Sequence, residues 1–215
     1  MKFRSIAVEG PIGVGKTSFV ELLAKKFDAF RVLEDLNNPF LKDFYDDKQG
    51  AAFQAQLFFL LSRNRQLKEL EQRDLFHQIT LLDYIFPKDK IFAYLNLDDS
   101  ELLIYDKLYA MLEQQLPKPD LVIYLQADTK TLVERIRRRR RNYESGISEA
   151  YINEINKAYN YFFFHYTETP LLVIDTTGID FVHQEEHLDE LVEQIRKMDR
   201  GVQYYRPLGS SARGA

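Results

Sequence analysis

Gly10-Pro-Ile12-Gly13-Val14-Gly15-Lys16-Thr17-Ser18 is the stretch from which the rest of the chain is best read. It fits G-x-x-x-x-G-K-[ST], preceded by an apolar segment at residues 2–9 (KFRSIAVE) and followed by helical spacing over Lys16–Phe27. Each residue type has a physical task in that context. Glycines let backbone N–H groups turn inward around phosphate oxygens, and the helix N-terminus that follows adds partial positive charge. Gly10, Ile12, Gly13, Val14, Gly15 and Ser18 are thus candidate triphosphate contacts. Lys16 is placed to reach the β- and γ-phosphates, and the Thr17 hydroxyl to ligate Mg²⁺. The bland alternative is a glycine turn that merely joins a strand to a helix.

Outward from this loop, strand and helix patterns alternate. Phe19, Val20, Leu23 and Phe27 share one helical face. Short apolar runs predict strands at 30–33, 79–82, 121–125 and 171–174, the last two launched by Pro119-Asp120 and by Pro170. Helical spacing predicts helices at 52–73, at 100–116 from an N-cap at Ser100, at 148–166, and through Leu188, Leu191, Val192, Ile195 and Met198. Buried-type strands separated by helices predict an α/β protein: three layers, a five-stranded parallel sheet with helices on both faces. In such sheets ligands bind beyond the carboxyl ends of the strands, which makes residues there the first to inspect. Residues 1–200 are predicted to form one domain, and 201–215 (GVQYYRPLGSSARGA), without acids or periodicity, a flexible tail.

Composition narrows the function classes. Of 215 residues, 45% are hydrophobic and 29% charged, as in a soluble protein with one core. Apolar runs never exceed five residues, which predicts neither a membrane-spanning helix nor a signal-peptide core. With no cysteine there are no disulfides, thiolate metal sites or cysteine nucleophiles, and a reducing cytoplasm suits the chain. A net charge of −4 gives the whole molecule no attraction for nucleic acid, so any anion site is local.

Two further features bear on phosphate chemistry. The run Ile79-Thr-Leu-Leu-Asp83 is an apolar strand ending in a carboxylate; Asp83 is a candidate magnesium ligand, or else a cap for the next turn. Arg135-Ile-Arg-Arg-Arg139-Arg-Arg141 has six arginines in seven residues. A basic patch for nucleic acid, a solvated helix face and an arginine-rich lid over transferring phosphates all fit such a run. Its place after a strand–helix unit, in an acidic chain with a phosphate loop, favours the lid.

With these residues in place the chain resembles the deoxynucleoside kinases of the deoxycytidine, deoxyguanosine and deoxyadenosine type, from about Phe3 to about Met198. The resemblance implies a P-loop kinase fold and ATP- and Mg²⁺-dependent phosphorylation of a deoxynucleoside 5′-hydroxyl. Glu34, in VLEDLNNPF, resembles the carboxylate that accepts the hydroxyl proton. Tyr45 and Gln56, eleven residues apart, resemble the contacts to the sugar 3′-hydroxyl and the base edge, and Arg63 an arginine near the base. Arg135, Arg139, Arg141 and Glu144 are similar to the family lid, whose arginines meet phosphate and whose glutamate meets the sugar. Residues 175–180, with Asp175 and Asp180, resemble the loop under the donor adenine. Asp89-Lys90 resembles an Asp-Arg pair with a one-residue gap. Adenine, guanine or cytosine is favoured over thymine, and a homodimer through the helices at 52–73 and 100–116 is implied.

The chain also departs from that family. Its acid-Arg-Ser triplet is here Asp83-Tyr84-Ile85, and Asp35 replaces a proline. The acid is kept and the cation lost, a charge that tyrosine cannot supply. Rival readings follow: a nucleoside monophosphate kinase, a kinase of another primary alcohol, or a nucleotide-binding regulator with impaired catalysis. The match of His183-Gln-Glu-Glu-His187 to H-x-x-E-H is read as two exposed histidines at a helix start.

Overall fold

The computed structural model describes residues 2–73, 78–114, 116–139 and 146–207. Six strands form one sheet in the order β2 (Phe30–Val32), β3 (Thr80–Leu82), β1 (Ser5–Glu9), β4 (Leu121–Gln126), β5 (Leu171–Asp175) and β6 (Val202–Tyr205). Every neighbouring pair is parallel. Strand side chains alternate between two cores, as the period of two requires. Ile6, Val8, Leu81, Ile123 and Ile174 face a core with α1 (Lys16–Phe27), α6 (Thr129–Arg139) and α8 (Glu185–Lys197). Ala7, Leu82, Val122, Tyr124 and Val173 face the other, with α3 (Ala51–Arg73), α4 (Lys88–Asn96), α5 (Asp99–Glu113) and α7 (Glu149–Phe164). Both faces of the central strands are therefore covered, and β4 and β5 read as nearly continuous apolar runs.

This strand order puts β1 in the middle, with the chain leaving it first toward β2 and β3 and later toward β4 and β5. The direction reverses beside the carboxyl ends of β1 and β3, which opens a crevice there. The phosphate loop follows β1 and Asp83 follows β3, so the topology alone brings the two together.

Three expectations need correcting. The sheet has six strands, not five, because Val202–Tyr205 pairs with β5 from Leu171↔Val202 to Ile174↔Tyr205. This is an edge strand, exposed over most of its length, so it carries no alternating apolar signal, and residues 202–205 are not a loose tail. Residues 208–215 lie outside those described. The N-cap of α5 is Asp98, not Ser100: its carboxylate accepts from the Glu101 N–H at 2.9 Å, and Glu101 accepts from the Asp98 N–H at 3.2 Å, a reciprocal capping box. Of the two histidines, His183 is exposed, but His187 is buried in α8, where Nδ1 accepts from the Asp180 N–H at 3.2 Å. No group of three metal-binding side chains exists among the described residues.

Candidate active site

The loop after β1 is held by geometry that only glycine supplies. A Cβ on Gly10 would stand 2.4 Å from the Leu125 carbonyl oxygen, and one on Gly13 2.8 Å from that of Leu132. Gly13 also has φ +88°, which side-chain-bearing residues rarely adopt. The loop thereby packs its backbone against β4 and α6 and turns into α1. The Lys16 ammonium donates to the carbonyls of Gly10 (2.7 Å) and Pro11 (3.3 Å). Burial and the nearby Lys88 charge lower its pKa to about 8.

A chain of hydrogen bonds crosses the crevice from this loop. The Thr17 hydroxyl donates to Asp83 Oδ2 at 2.9 Å, and the Glu34 backbone N–H donates to Asp83 Oδ1 at 2.6 Å. Asp83 thus links the phosphate loop to the segment after β2. Glu34 Oε1 accepts from Arg63 Nε at 2.9 Å and also from Nη2, while Oε2 accepts from Lys88 Nζ at 2.7 Å. Burial works to raise the Glu34 pKa, but the charges and hydrogen bonds of Lys88 and Arg63 outweigh it and hold the carboxyl well below the usual range. Lys88 and Arg63 thus favour the ionised carboxylate.

Below Glu34 the cavity floor is ionic. Arg63 extends its other arm to Asp89, which also accepts from Gln56 Nε2 and, at 3.0 Å, from the Tyr105 hydroxyl. Asp89 is fully buried, and Gln56 donates a second time to its backbone carbonyl at 3.0 Å. Both amide hydrogens of Gln56 are thus directed at Asp89, which fixes the amide and leaves its oxygen as the acceptor. Fixed donors and acceptors at the base of a pocket are what read a heterocycle edge.

The other wall comes from α6 and the segment after β5. The Arg135 guanidinium donates to Val14 O (3.1 Å), Thr176 Oγ1 (3.1 Å), Thr176 O (2.8 Å) and Ile179 O (3.3 Å). It clamps α6 to the phosphate loop rather than projecting freely. Arg139 lines the same cavity from the last turn of α6.

These parts enclose one cavity of about 750 Å³. Ile12 through Ser18, Glu34, Tyr45, Gln56, Arg63, Asp83, Arg135, Arg139 and Asp180 all line it. Asp89 lies just behind the wall, and Gly10 at the root of the loop. Asp175 does not line it: its carboxylate accepts from the Thr177 N–H at 3.0 Å and faces Arg206 at 3.4 Å. Arg141 and Glu144 lie outside the described residues. Tyr84 is fully buried and donates its hydroxyl to Gln66 Oε1 at 3.1 Å, turned away from the cavity.

Two site residues escape sequence reading. Glu9, at the end of β1, is completely buried; its carboxylate accepts from the N–H groups of Gly10 (2.9 Å) and Ile85 (3.1 Å), and burial raises its pKa. Lys88, in the first turn of α4, is 3% exposed and pairs with Glu34 and Glu9. A charge in an apolar strand and another in a short helix leave no periodic trace; the only signal is that Lys88 lies five residues past the strand-end acid.

Thr17 and Asp83 present hard oxygen donors side by side, and one or two such ligands suit Mg²⁺, which keeps waters and takes phosphate oxygens for the rest. The residues present fit that ion.

A family model described as deoxynucleoside kinase matches residues 6–199. The chain is 32% identical over 200 residues to the deoxyguanosine kinase of Bacillus subtilis (strain 168), covering 90% of this chain and 96% of that one. It is 30% identical over 199 residues to the deoxyadenosine/deoxycytidine kinase of the same organism, covering 88% and 90%. Among solved structures, the deoxyadenosine kinase from M. mycoides with the products dCMP and a flexible dCDP superposes with a TM-score of 0.76 at 26% identity, covering 90% of this chain and 98% of that one.

Proposed function

The chain belongs to the deoxynucleoside kinase family, and for it we propose transfer of the γ-phosphoryl group of ATP to the 5′-hydroxyl of a deoxynucleoside carrying adenine, guanine or cytosine. It is a kinase that phosphorylates deoxynucleosides. One observation carries it: within a single cavity, Thr17, Asp83 and Glu34 are joined by hydrogen bonds from the phosphate loop to a buried, ionised carboxylate.

Donor phosphates lie on the amides of residues 10–18 with Lys16 against the β- and γ-oxygens. Thr17 and Asp83 would hold Mg²⁺, which when bound neutralises charge on the phosphate oxygens. Glu34 accepts the hydrogen bond of the 5′-hydroxyl and orients its oxygen toward the γ-phosphorus. As that O–P bond forms, the bond to the β–γ bridging oxygen breaks, its electron pair leaves with ADP, and the hydroxyl proton passes to Glu34. A carboxylate with so depressed a pKa is a weak base. Its contribution is orientation and late proton acceptance, which suits a loose, metaphosphate-like transition state. Arg139, with Arg141, supplies guanidinium charge to the moving phosphoryl group. Gln56 and Arg63 read the base, Asp89 fixes both, and Tyr45 and Glu144 hold the sugar. The names of the relatives point to the same three bases. The domain extends beyond residue 200 to take in β6, and it acts in the cytoplasm.

A homodimer belongs to this reading. Leu61 of α3, Tyr94 of α4 and Leu103, Ile104 and Met111 of α5 are all at least 49% exposed, large apolar side chains on the helices that the family resemblance assigns to the dimer and on α4 beside them. No helix among the described residues is long and apolar enough to cross a membrane.

The test is an acceptor panel: ADP release from ATP with each natural deoxynucleoside, nucleoside and deoxynucleoside monophosphate. Deoxyadenosine, deoxyguanosine or deoxycytidine should give the highest kcat/KM; a panel in which monophosphates lead would replace this reading.

A further inference from the structure

Glu34 is the carboxylate on which the acceptor reading rests, and the cations that surround it decide how it works. The sequence leaves position 84 without charge, and Tyr84 is turned out of the cavity toward Gln66. Two cations touch Glu34 instead. Arg63 is divided between Glu34 and Asp89, so its fork is committed to the floor of the pocket. Lys88 is not so divided. Its polar partners among the described residues are Glu34 Oε2 at 2.7 Å and Glu9 Oε1 at 3.8 Å, the latter an ion pair beyond hydrogen-bond range. An ammonium has three N–H donors, and one hydrogen bond leaves others available.

The position is as informative as the partners. Lys88 lines the cavity, and it sits at the junction where β1 and β3 end. Glu9, buried behind it, is pinned by two backbone N–H groups and cannot swing away. The Lys88 charge is also felt at Lys16, whose ammonium it disfavours, which places it within electrostatic reach of the γ-phosphate seat. Burying a lysine this deeply is costly unless its charge is used or fully paired.

Resting on the phosphotransfer reading above, we propose that Lys88 is the cation of the acceptor half: it locks Glu34 in the rotamer that receives the 5′-hydroxyl and places positive charge between that hydroxyl and the incoming phosphoryl group. It thereby does from the first turn of α4 what the chain lacks at position 84. Glu9 is its anchor. The covalent step is the one written above, in which Lys88 exchanges no proton and no bond.

The chain has no cysteine, so a single introduced thiol can be alkylated without competition. Lys88→Cys is compared untreated, after 2-bromoethylamine, which rebuilds an ammonium at the reach of lysine, and after iodoacetamide, which adds neutral bulk. Alkylation in urea followed by refolding reaches a buried thiol. Untreated Lys88→Cys should lose about 10²–10³-fold in kcat while its ATP affinity and KM for the nucleoside stay within about threefold. The aminoethylated protein should regain at least about tenfold in kcat, and the carbamidomethylated one should not. Lys88→Cys with kcat within about threefold of the parent would overturn the inference, as would a folded, ATP-binding aminoethyl form no more active than the neutral adduct. These outcomes leave the parent activity intact. Only an unmodified chain without turnover on any deoxynucleoside would remove the phosphotransfer reading, and this inference with it.

Discussion

Glu34 and Lys16 carry opposite burdens, and each gives a measurable consequence. Replacing Glu34 by Gln keeps the shape and the hydrogen bonds to Arg63 but removes the proton acceptor. We expect kcat to fall by about 10²-fold or more with little change in KM. A pure KM effect in steady-state kinetics would assign Glu34 to nucleoside binding instead. Lys16 has a pKa lowered to about 8 through burial and the charge of Lys88. A triphosphate laid against it favours the ammonium and raises that value. As pH rises through about 8, therefore, ATP binding takes up an increasing fraction of a proton and weakens; well below pH 8 it does neither. Calorimetry at pH 7 and pH 9 in buffers of different ionisation enthalpy reads the difference directly. Equal heats at pH 9 would contradict it. Lys16, Thr17 and Asp83 are legible in the sequence, because a phosphate-loop pattern and a strand-end acid mark them, whereas Glu34 reads as a surface acid opening a loop until the family resemblance singles it out. Lys88 and Glu9 are not legible, since a buried charge looks like any surface charge until its partners are known.

At the scale of elements, the same physics explains what can be read and what cannot. β4 and β5 announce themselves because both faces are buried and nearly every residue is apolar. β6 is exposed over most of its length, so nothing in residues 202–205 distinguishes it from a tail until β5 offers it an edge. α4 hides because buried Lys88 and Asp89 occupy positions where an amphipathic helix would show leucine. The capping box on α5 is the sharpest local test of helix boundaries. Asp98→Ala should cost about 1 kcal/mol in urea-induced unfolding and leave kcat untouched, because α5 does not line the cavity. A neutral Asp98→Ala together with a costly Ser100→Ala would move the cap to Ser100, where residue type and helical spacing alone would put it.

The whole molecule adds two claims, one about assembly and one about chemistry. Ile104 and Met111 are seven residues apart on α5, hence on one stripe, and the second is 72% exposed. If that stripe joins two protomers, the protein sediments at twice 25.4 kDa, and Ile104→Glu with Met111→Glu returns it to 25.4 kDa. A parent chain that sediments as a monomer removes the dimer. The chemical claim is that a crevice linking the phosphate loop to Glu34 passes a phosphoryl group from ATP to an alcohol on the far side. Its most direct test follows the label from [γ-³²P]ATP mixed with deoxyguanosine, deoxyadenosine or deoxycytidine, separating the products by chromatography. The account predicts label in the deoxynucleoside 5′-monophosphate, equimolar with ADP and lost with Lys16→Ala. Label found only in inorganic phosphate, or in a diphosphate made from a monophosphate acceptor, would contradict it.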